Sequence, residues 1–550
     1  MLNNIKLENA LKILSQNKQK WLKLNIQQKI SYLESAMDSL ILESKQWAEV
    51  SARAKEGSAN SDIVGQEFLA GPAILMRQLR YLIQALKENG KPTPKKIFQR
   101  DNKQFVAKVM PENIKESLIW RGFESEVWIQ KDKFPTQGVV YSENNTIPAV
   151  SLILGAGNVS SISPLDALTK LYNEGKVCIV KLNPVNDYLL EIFNKIFVDL
   201  IHDGFLYFTK GTGEIGEYLC NHNLVDDIHI TGSHITHDKI VWGKGTVEEI
   251  NEKKLNDTMI CNKNITSELG CVTPVIIVPG IWTDEELIYH ARQIASVVAN
   301  NASFNCNAMK VIVTCKGWQQ RELFLNYLRI ELKSTPSRKA YYPGAWERYS
   351  GFLKQYNQAE IIGDNKAGCI PWTLIPDINS NNYAFENEAF CGIITETSIN
   401  ANNVTEFIHK AVDFCNDKIW GTLSCSLLVD PLTKKIHHND IEYALETLRY
   451  GTIGVNCWSA LSYAFASTTW GAFPGATLKD IQSGIGTVHN GLLFDFPEKS
   501  VIHAPFTIWP TPAWFYTNKN TLEIAECLIE YEYSQSVYSM MKLIFAALKG

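Results

Sequence analysis

Apolar residues return at every third or fourth position through "YLESAMDSLILESKQWAEVSARAKEG", which predicts helices over residues 5–56 with Gly57 as a stop. A second helical stretch covers 67–89. The pattern then changes: Gly90, Pro92 and Pro94 open a strand-rich, aromatic segment, about 90–148, that contains "EVWIQ" and "GVVYS". From 149 to 233 short apolar runs alternate with amphipathic ones: "AVSLIL", "PLDALTKLYNEG", "KVCIVK", "DYLLEIFNKIFVDLIHDG", "FLYFTKG", "GEIGEYLCNH" and "DDIHITGS". That β-α-β-α-β rhythm predicts a parallel, doubly wound sheet. A second α/β region begins at "VTPVIIV". It continues through a helix opened by a Thr283–Glu286 capping box and the strand "MKVIVTC", and mixed segments run to about residue 456. Residues 500–550 read as a tail in which prolines and aromatics precede one helix. Val537, Met540, Met541, Ile544 and Leu548 share a side of that helix, a stripe that suits a docking or subunit face.

Composition narrows the picture only a little. A chain of 550 residues is too long for one ordinary core, so two or three domains are expected, and 45% hydrophobic with 20% charged residues is globular composition. The net charge of −5 and the lack of long basic runs argue against a nucleic-acid partner; Lys95, Lys96 and Arg100 read as a solvated loop. Twelve cysteines form no CxxC pair, and His229, His234 and His237 straddle a strand-to-turn junction, so no metal site is expected. Many unpaired cysteines, no signal-peptide pattern at the first residues and no run of 18 apolar residues lead to the expectation of a cytoplasmic protein without a membrane span.

Four places offer chemistry. "NNASFNCNAMK" sets Cys306 between two asparagines at a helix-to-strand joint, a polar setting for a thiol. "NITSELGCVTP" puts Glu268 at the entrance to a buried strand, where partial desolvation would raise its pKa towards that of a general base. "LILGAGNVSS" follows a strand with Gly155, Gly157 and Asn158: the glycines would let a ligand approach the backbone, and the amide would steady an oxyanion. In "HITGSHITHDK", Gly232 and Ser233 stand between strand and helix, where N–H groups can hold a phosphate, and Lys181 ends its own strand within reach of a ribose. No GxGxxG follows the first strand, so the usual dinucleotide fingerprint is absent.

In order, "GAGN", "CIVKLNP", "KGTGEIGEYLCNHNLVDDIHITGS", "SELGCVTP", "NNASFNC", "ENEAFCG", "GTIGVN" and "FPGATLKDIQSGIG" resemble the aldehyde dehydrogenase superfamily over about residues 10–490, and the 38-residue gap from Glu268 to Cys306 is close to that family's. The resemblance implies an aldehyde dehydrogenase-like α/β fold: two doubly wound α/β domains plus a small strand excursion for oligomerisation. Residues 1–268 would hold the N-terminal helices and the NAD(P)-binding domain, and 269–456 the catalytic domain. Residues 457–499 would return to the cofactor and oligomerisation region, with 500–550 as the tail. It also implies Cys306 as nucleophile, Glu268 as base for thioester hydrolysis and Asn158 with the Cys306 N–H as oxyanion donors. Lys181, Gly213, Gly232, Ser233, Glu388 and Phe390 would lie along NAD or NADP. The implied partners are a small aldehyde or acyl substrate and further copies in a homodimer or homotetramer.

Several positions depart from the family pattern. Gly155-Ala156-Gly157 precedes Asn158 where Pro-Trp is usual, Ser303-Phe304 replaces Gly-Gln, and Cys271 replaces a second glycine. Pro184 stands where NAD-preferring members often carry a glutamate, which admits NADP. A CoA-acylating enzyme or fatty acyl-CoA reductase would use the same thioester, and "GAGN" is reminiscent of bioluminescence-type acyl reductases. A catalytically inactive scaffold is the third reading.

Overall fold

The chain opens with two helices, Leu2–Lys23 and Ile26–Glu56. The second begins at a reciprocal cap between Asn25 and Gln28 and stops at Gly57, whose φ of 73° only glycine adopts freely. The computed structural model describes residues 2–142, 146–378 and 382–550. The stretch predicted as helix over 67–89 is the end of a longer rod, Ser61–Lys87. A π turn at Leu69–Ala73 interrupts it around Pro72, which has no N–H to give. Ser161 Oγ takes up the Ala70 carbonyl there at 2.6 Å.

Among the described residues two large sheets organise the α/β fold. The first runs Leu206–Thr209, Val177–Lys181, Val150–Leu154, Asp227–Gly232 and Asn264–Leu269, all parallel, and ends on the short antiparallel Gly484–Ile485. Its inner strands are buried almost end to end, as expected of strands covered on both faces. The strand that comes first in sequence lies in the middle, so the connections leave it in both directions. Ligands bind such sheets at the carboxyl ends beside that reversal.

The second sheet has eleven strands. Seven are parallel neighbours: Pro497–His503, Thr452–Val455, Ser424–Leu428, Pro274–Ile277, Val311–Cys315, Ile393–Ile399 and Thr373–Ile375. Lys96–Gln99, Phe105–Met110 and Glu124–Ile129 extend it antiparallel from the Pro497–His503 side. The strand excursion expected to join subunits therefore completes the sheet of its own chain.

Three local expectations are corrected. "GVVYS" is a 3-10 turn, Val139–Tyr141, because Gly138 enters it at φ 60° and the Val139 N–H is held by Asp495. The helix expected over 187–204 begins as a 3-10 turn behind Pro184 and breaks at Phe197. The tail holds the Pro497–His503 strand and two helices, Thr521–Ser534 and Val537–Leu548, rather than one. On the last helix the buried residues are Ser539, Met540, Leu543 and Ala546, so the predicted stripe is turned: Val537, Met541 and Leu548 are exposed.

Candidate active site

The parallel register puts the candidate groups on one edge. Leu154 lies level with Lys181, Lys181 with Thr209, and Thr231 with Glu268. The loop Gly155–Asn158, the side chain of Lys181, the helix start at Gly213, the Gly232–Ser233 turn and Glu268 thus all stand at or beside the carboxyl ends of the first sheet. Lys181 is buried, and burial pulls its pKa down while Asp187 pulls it up. Asp187 Oδ1 is itself buried with no hydrogen-bond partner. Gly232 and Ser233 are exposed, Ser233 Oγ caps the next helix at Thr236, and the space beside Gly213 is open.

Cys306 comes from the second sheet's side and meets Glu268 across the cleft: its Sγ donates to Glu268 Oε1 at 3.4 Å. The thiol is half-buried and lines a cavity. Burial, and then the neighbouring Glu268 charge, push its pKa well up, with Lys310 acting the other way. Burial also raises Glu268 to about 7; His489 and the Trp470 indole pull it down and Asp166 pushes it up. His489 is in turn lowered to about 4 by burial and lies 3.2 Å from Asp166.

The loop before the thiol is strained and heavily held. Asn301, Ala302 and Ser303 have φ of 51°, 54° and 68°, three successive side chains in the left-handed region, at a cost of about 1 kcal/mol or more each. Ser303 stands where a glycine would carry no such cost. The Asn301 amide donates to the Asn158 carbonyl at 2.9 Å, the Phe304 carbonyl at 3.1 Å and Asn305 Oδ1 at 3.1 Å, while Lys55 and Tyr341 donate back to Asn301 Oδ1. The side chain of Asn158 is tied to the same loop, giving one N–H to the Phe304 carbonyl at 2.9 Å.

Glu388 sits 3.1 Å from the buried Lys310 ammonium, which also donates to the carbonyls of Asn305, Cys306 and Ala308. Its carboxylate occupies the space a side chain at position 270 would need: a Cβ on Gly270 would meet Glu388 Oε2 at 2.1 Å. Phe390, at φ 41°, packs with Phe304 and Tyr342.

No protein-family profile and no curated protein sequence matches the chain. Solved structures do. A mutant indole-3-acetaldehyde dehydrogenase of P. syringae, with NAD+ and IAA, aligns at 15% identity and TM-score 0.62, over 90% of this chain and 88% of that one. The NADP-dependent glyceraldehyde-3-phosphate dehydrogenase of Bacillus halodurans C-125, with NADP, aligns at 14% and 0.59 over 90% and 91%, and the lactaldehyde dehydrogenase of Escherichia coli at 14% and 0.59 over 90% and 89%. The chain has the aldehyde dehydrogenase fold.

The glycines of "GAGN" make room for the protein itself: a Cβ on Gly155 would strike Ser163 Oγ at 2.0 Å, and one on Gly157 the Asn183 side chain at 2.7 Å. Pro184 does remove one carboxylate, but Asp187, on the same 3-10 turn, brings another into the field of Lys181. His229 is hydrogen-bonded to Thr266 and Thr231, and His234 packs on Trp420. Lys310, Asp187 and the buried Lys55–Glu67 pair at 2.8 Å went unnoticed. Only the spacing of Lys310, four residues after Cys306 in an otherwise apolar run, could have signalled any of them.

Proposed function

We propose that the protein is an NAD(P)-dependent aldehyde dehydrogenase that converts an aldehyde to a carboxylic acid through a thioester on Cys306. The observation that carries this reading is the Cys306–Glu268 contact at the inner end of a cavity. A nucleophile and a base with its pKa near neutrality meet there, and the Asn158 amide is tied to the same loop through the Phe304 carbonyl, an arrangement that suits acyl chemistry.

Glu268 takes the thiol proton, and Cys306 Sγ attacks the aldehyde carbon. The Cys306 N–H and the second N–H of Asn158 hold the oxygen of the thiohemiacetal. Bound NAD(P)+ supplies the hydride acceptor. Once that first proton has passed to solvent, Glu268 draws a proton from water, which attacks the thioester carbonyl; the acid leaves and the departing Cys306 thiolate takes the proton back from Glu268. Among the described residues Lys181 and Asp187 have no side-chain hydrogen-bond partner, and they suit the hydroxyls of a ribose. The open backbone at Gly213, Gly232 and Ser233 suits the phosphates, and Glu388 and Phe390 the nicotinamide half.

Two outcomes are expected. Because Glu268 must be ionised to act and sits at about 7, kcat/KM should rise with pH through that region. Glu268→Gln should erase that limb and leave thioester hydrolysis slow. Acyl-CoA formation that depends on added CoA and survives Glu268→Gln would favour the acyl-transferring relative instead. Asp187 opposes a 2′-phosphate, so the wild type should prefer NAD+. Asp187→Asn should narrow the ratio of kcat/KM for NAD+ over NADP+ about tenfold, measured with one aldehyde at saturation. For assembly we propose a homodimer or homotetramer, to which the exposed outer edge of the Lys96–Gln99 strand is open.

A further inference from the structure

The cavity that holds Cys306 is much larger than a small aldehyde needs. It measures about 600 Å³ and runs from Cys306 and Glu268 to the last helix of the chain. Polar groups gather at its inner end, where Asn305 and Asn307 flank the thiol. Farther out the walls are mostly apolar, and three of the polar side chains among them are held by protein partners, while the Trp514 indole N–H is buried without one and Arg121 is exposed. Tyr463 pairs with Ser161 at 2.7 Å and the Trp458 indole with the Asn307 carbonyl at 2.9 Å. Arg77 is taken up by Glu116, Glu532 and the Phe465 carbonyl.

The outer half of this cavity is built by the tail. Ile524, Leu528, Leu543 and Ile544 line it, and the first of the two tail helices is clamped by the buried Glu532, which Arg77 and Arg80 grip together. Burial alone would raise the Glu532 pKa; the two guanidiniums hold it below the carboxylate range, so the clamp stays charged. At the surface the cavity ends among Leu118, Trp509 and Leu548, which are 56%, 76% and 46% exposed. Apolar side chains left in water around an opening suit an apolar entrant. Lys181, Ser233 and Glu388 do not line this space, so it lies apart from the proposed cofactor groups.

A wide apolar channel filled by nothing would forfeit contacts along its whole length. We propose that this channel is the site for a long unbranched hydrocarbon tail, which makes the substrate a fatty aldehyde whose carbonyl end reaches Cys306. The proposal rests on Cys306 being the nucleophile. It adds that the two tail helices set chain length.

The test is a chain-length series, butanal to tetradecanal, followed by NAD(P)H formation, with binding of fatty acids to Cys306→Ala protein measured separately by displacement of fluorescent parinaric acid. Within the series kcat/KM should climb by up to about fourfold for each added methylene until the channel is full. Ala547→Trp, which narrows the outer half, should cut kcat/KM for dodecanal at least about tenfold more than for butanal. Dodecanoate should displace parinaric acid from the Cys306→Ala protein, and hexanoate should do so far more weakly. Activity that is flat or falling beyond butanal overturns the channel and leaves the Cys306 chemistry standing. Inactivity with every aldehyde overturns the chemistry, and the displacement experiment then decides the channel alone: no displacement by dodecanoate overturns it.

Discussion

Replacing Cys306 by alanine is expected to lower aldehyde-dependent NAD(P)H formation by about 10⁴-fold or more, with cofactor affinity little changed. Without the thiol no covalent adduct forms, and the remaining groups, Asn158 and Glu268, have no bond to make or break. The thiol is neutral at rest, since burial and Glu268 both oppose its ionisation. The hydrogen bond to Glu268 gives its proton somewhere to go at the moment of attack. Rapid mixing with NAD+ and aldehyde should therefore show a burst of NADH in the wild type and none in Cys306→Ala. Thermal midpoints of the two proteins should agree closely, because the substitution leaves the strained loop's own hydrogen bonds in place.

Lys310→Met is expected to have the next largest effect, on both stability and rate. The ammonium is buried and serves the carbonyls of Asn305, Cys306 and Ala308 as well as the Glu388 carboxylate. Methionine fills the space but leaves three acceptors and a carboxylate without their cation. Breaking a buried pair in this way costs about 3–5 kcal/mol. The cysteine loop would also lose one of the two donors to the Cys306 carbonyl, the other being Thr273 Oγ1, and a shift of the nucleophile by about 1 Å costs on the order of 10²-fold in rate. Urea unfolding followed by tryptophan fluorescence, together with kcat for the purified variant, measures both. A variant as stable and active as the wild type would show that the cation is not what holds the loop.

The candidate positions Cys306 and Glu268 and the parallel sheet between residues 149 and 269 were legible because each depends on local pattern: alternation of strand and helix, and short motifs at chain turns. What stayed hidden depends on contacts between distant parts. Pro497–His503 escaped notice as a strand because Glu498, Lys499 and Ser500 leave only Val501 and Ile502 as an apolar pair; the structure buries Lys499 under the carbonyls of Leu445, Glu446 and Leu448, where burial lowers it to about 8. Asp187 was passed over because it follows Pro184 by three residues, and only the 3-10 turn brings it back beside Lys181. The channel wall could not be read at all. Arg77, Glu116 and Glu532 come from three separate stretches, and nothing in their spacing says that they clamp the tail over the cavity that holds Cys306.

Intact-mass analysis of Glu268→Gln protein mixed with decanal and NAD+ tests the central claim most directly. With the base removed the thioester should form more slowly but be hydrolysed more slowly still, so over a long incubation the protein should gain one decanoyl group. That group should map to the peptide bearing Cys306 and be absent from the Cys306→Ala, Glu268→Gln double variant. Turnover by the wild type with no acyl group ever found on Cys306, or with the group on another residue, would contradict the account.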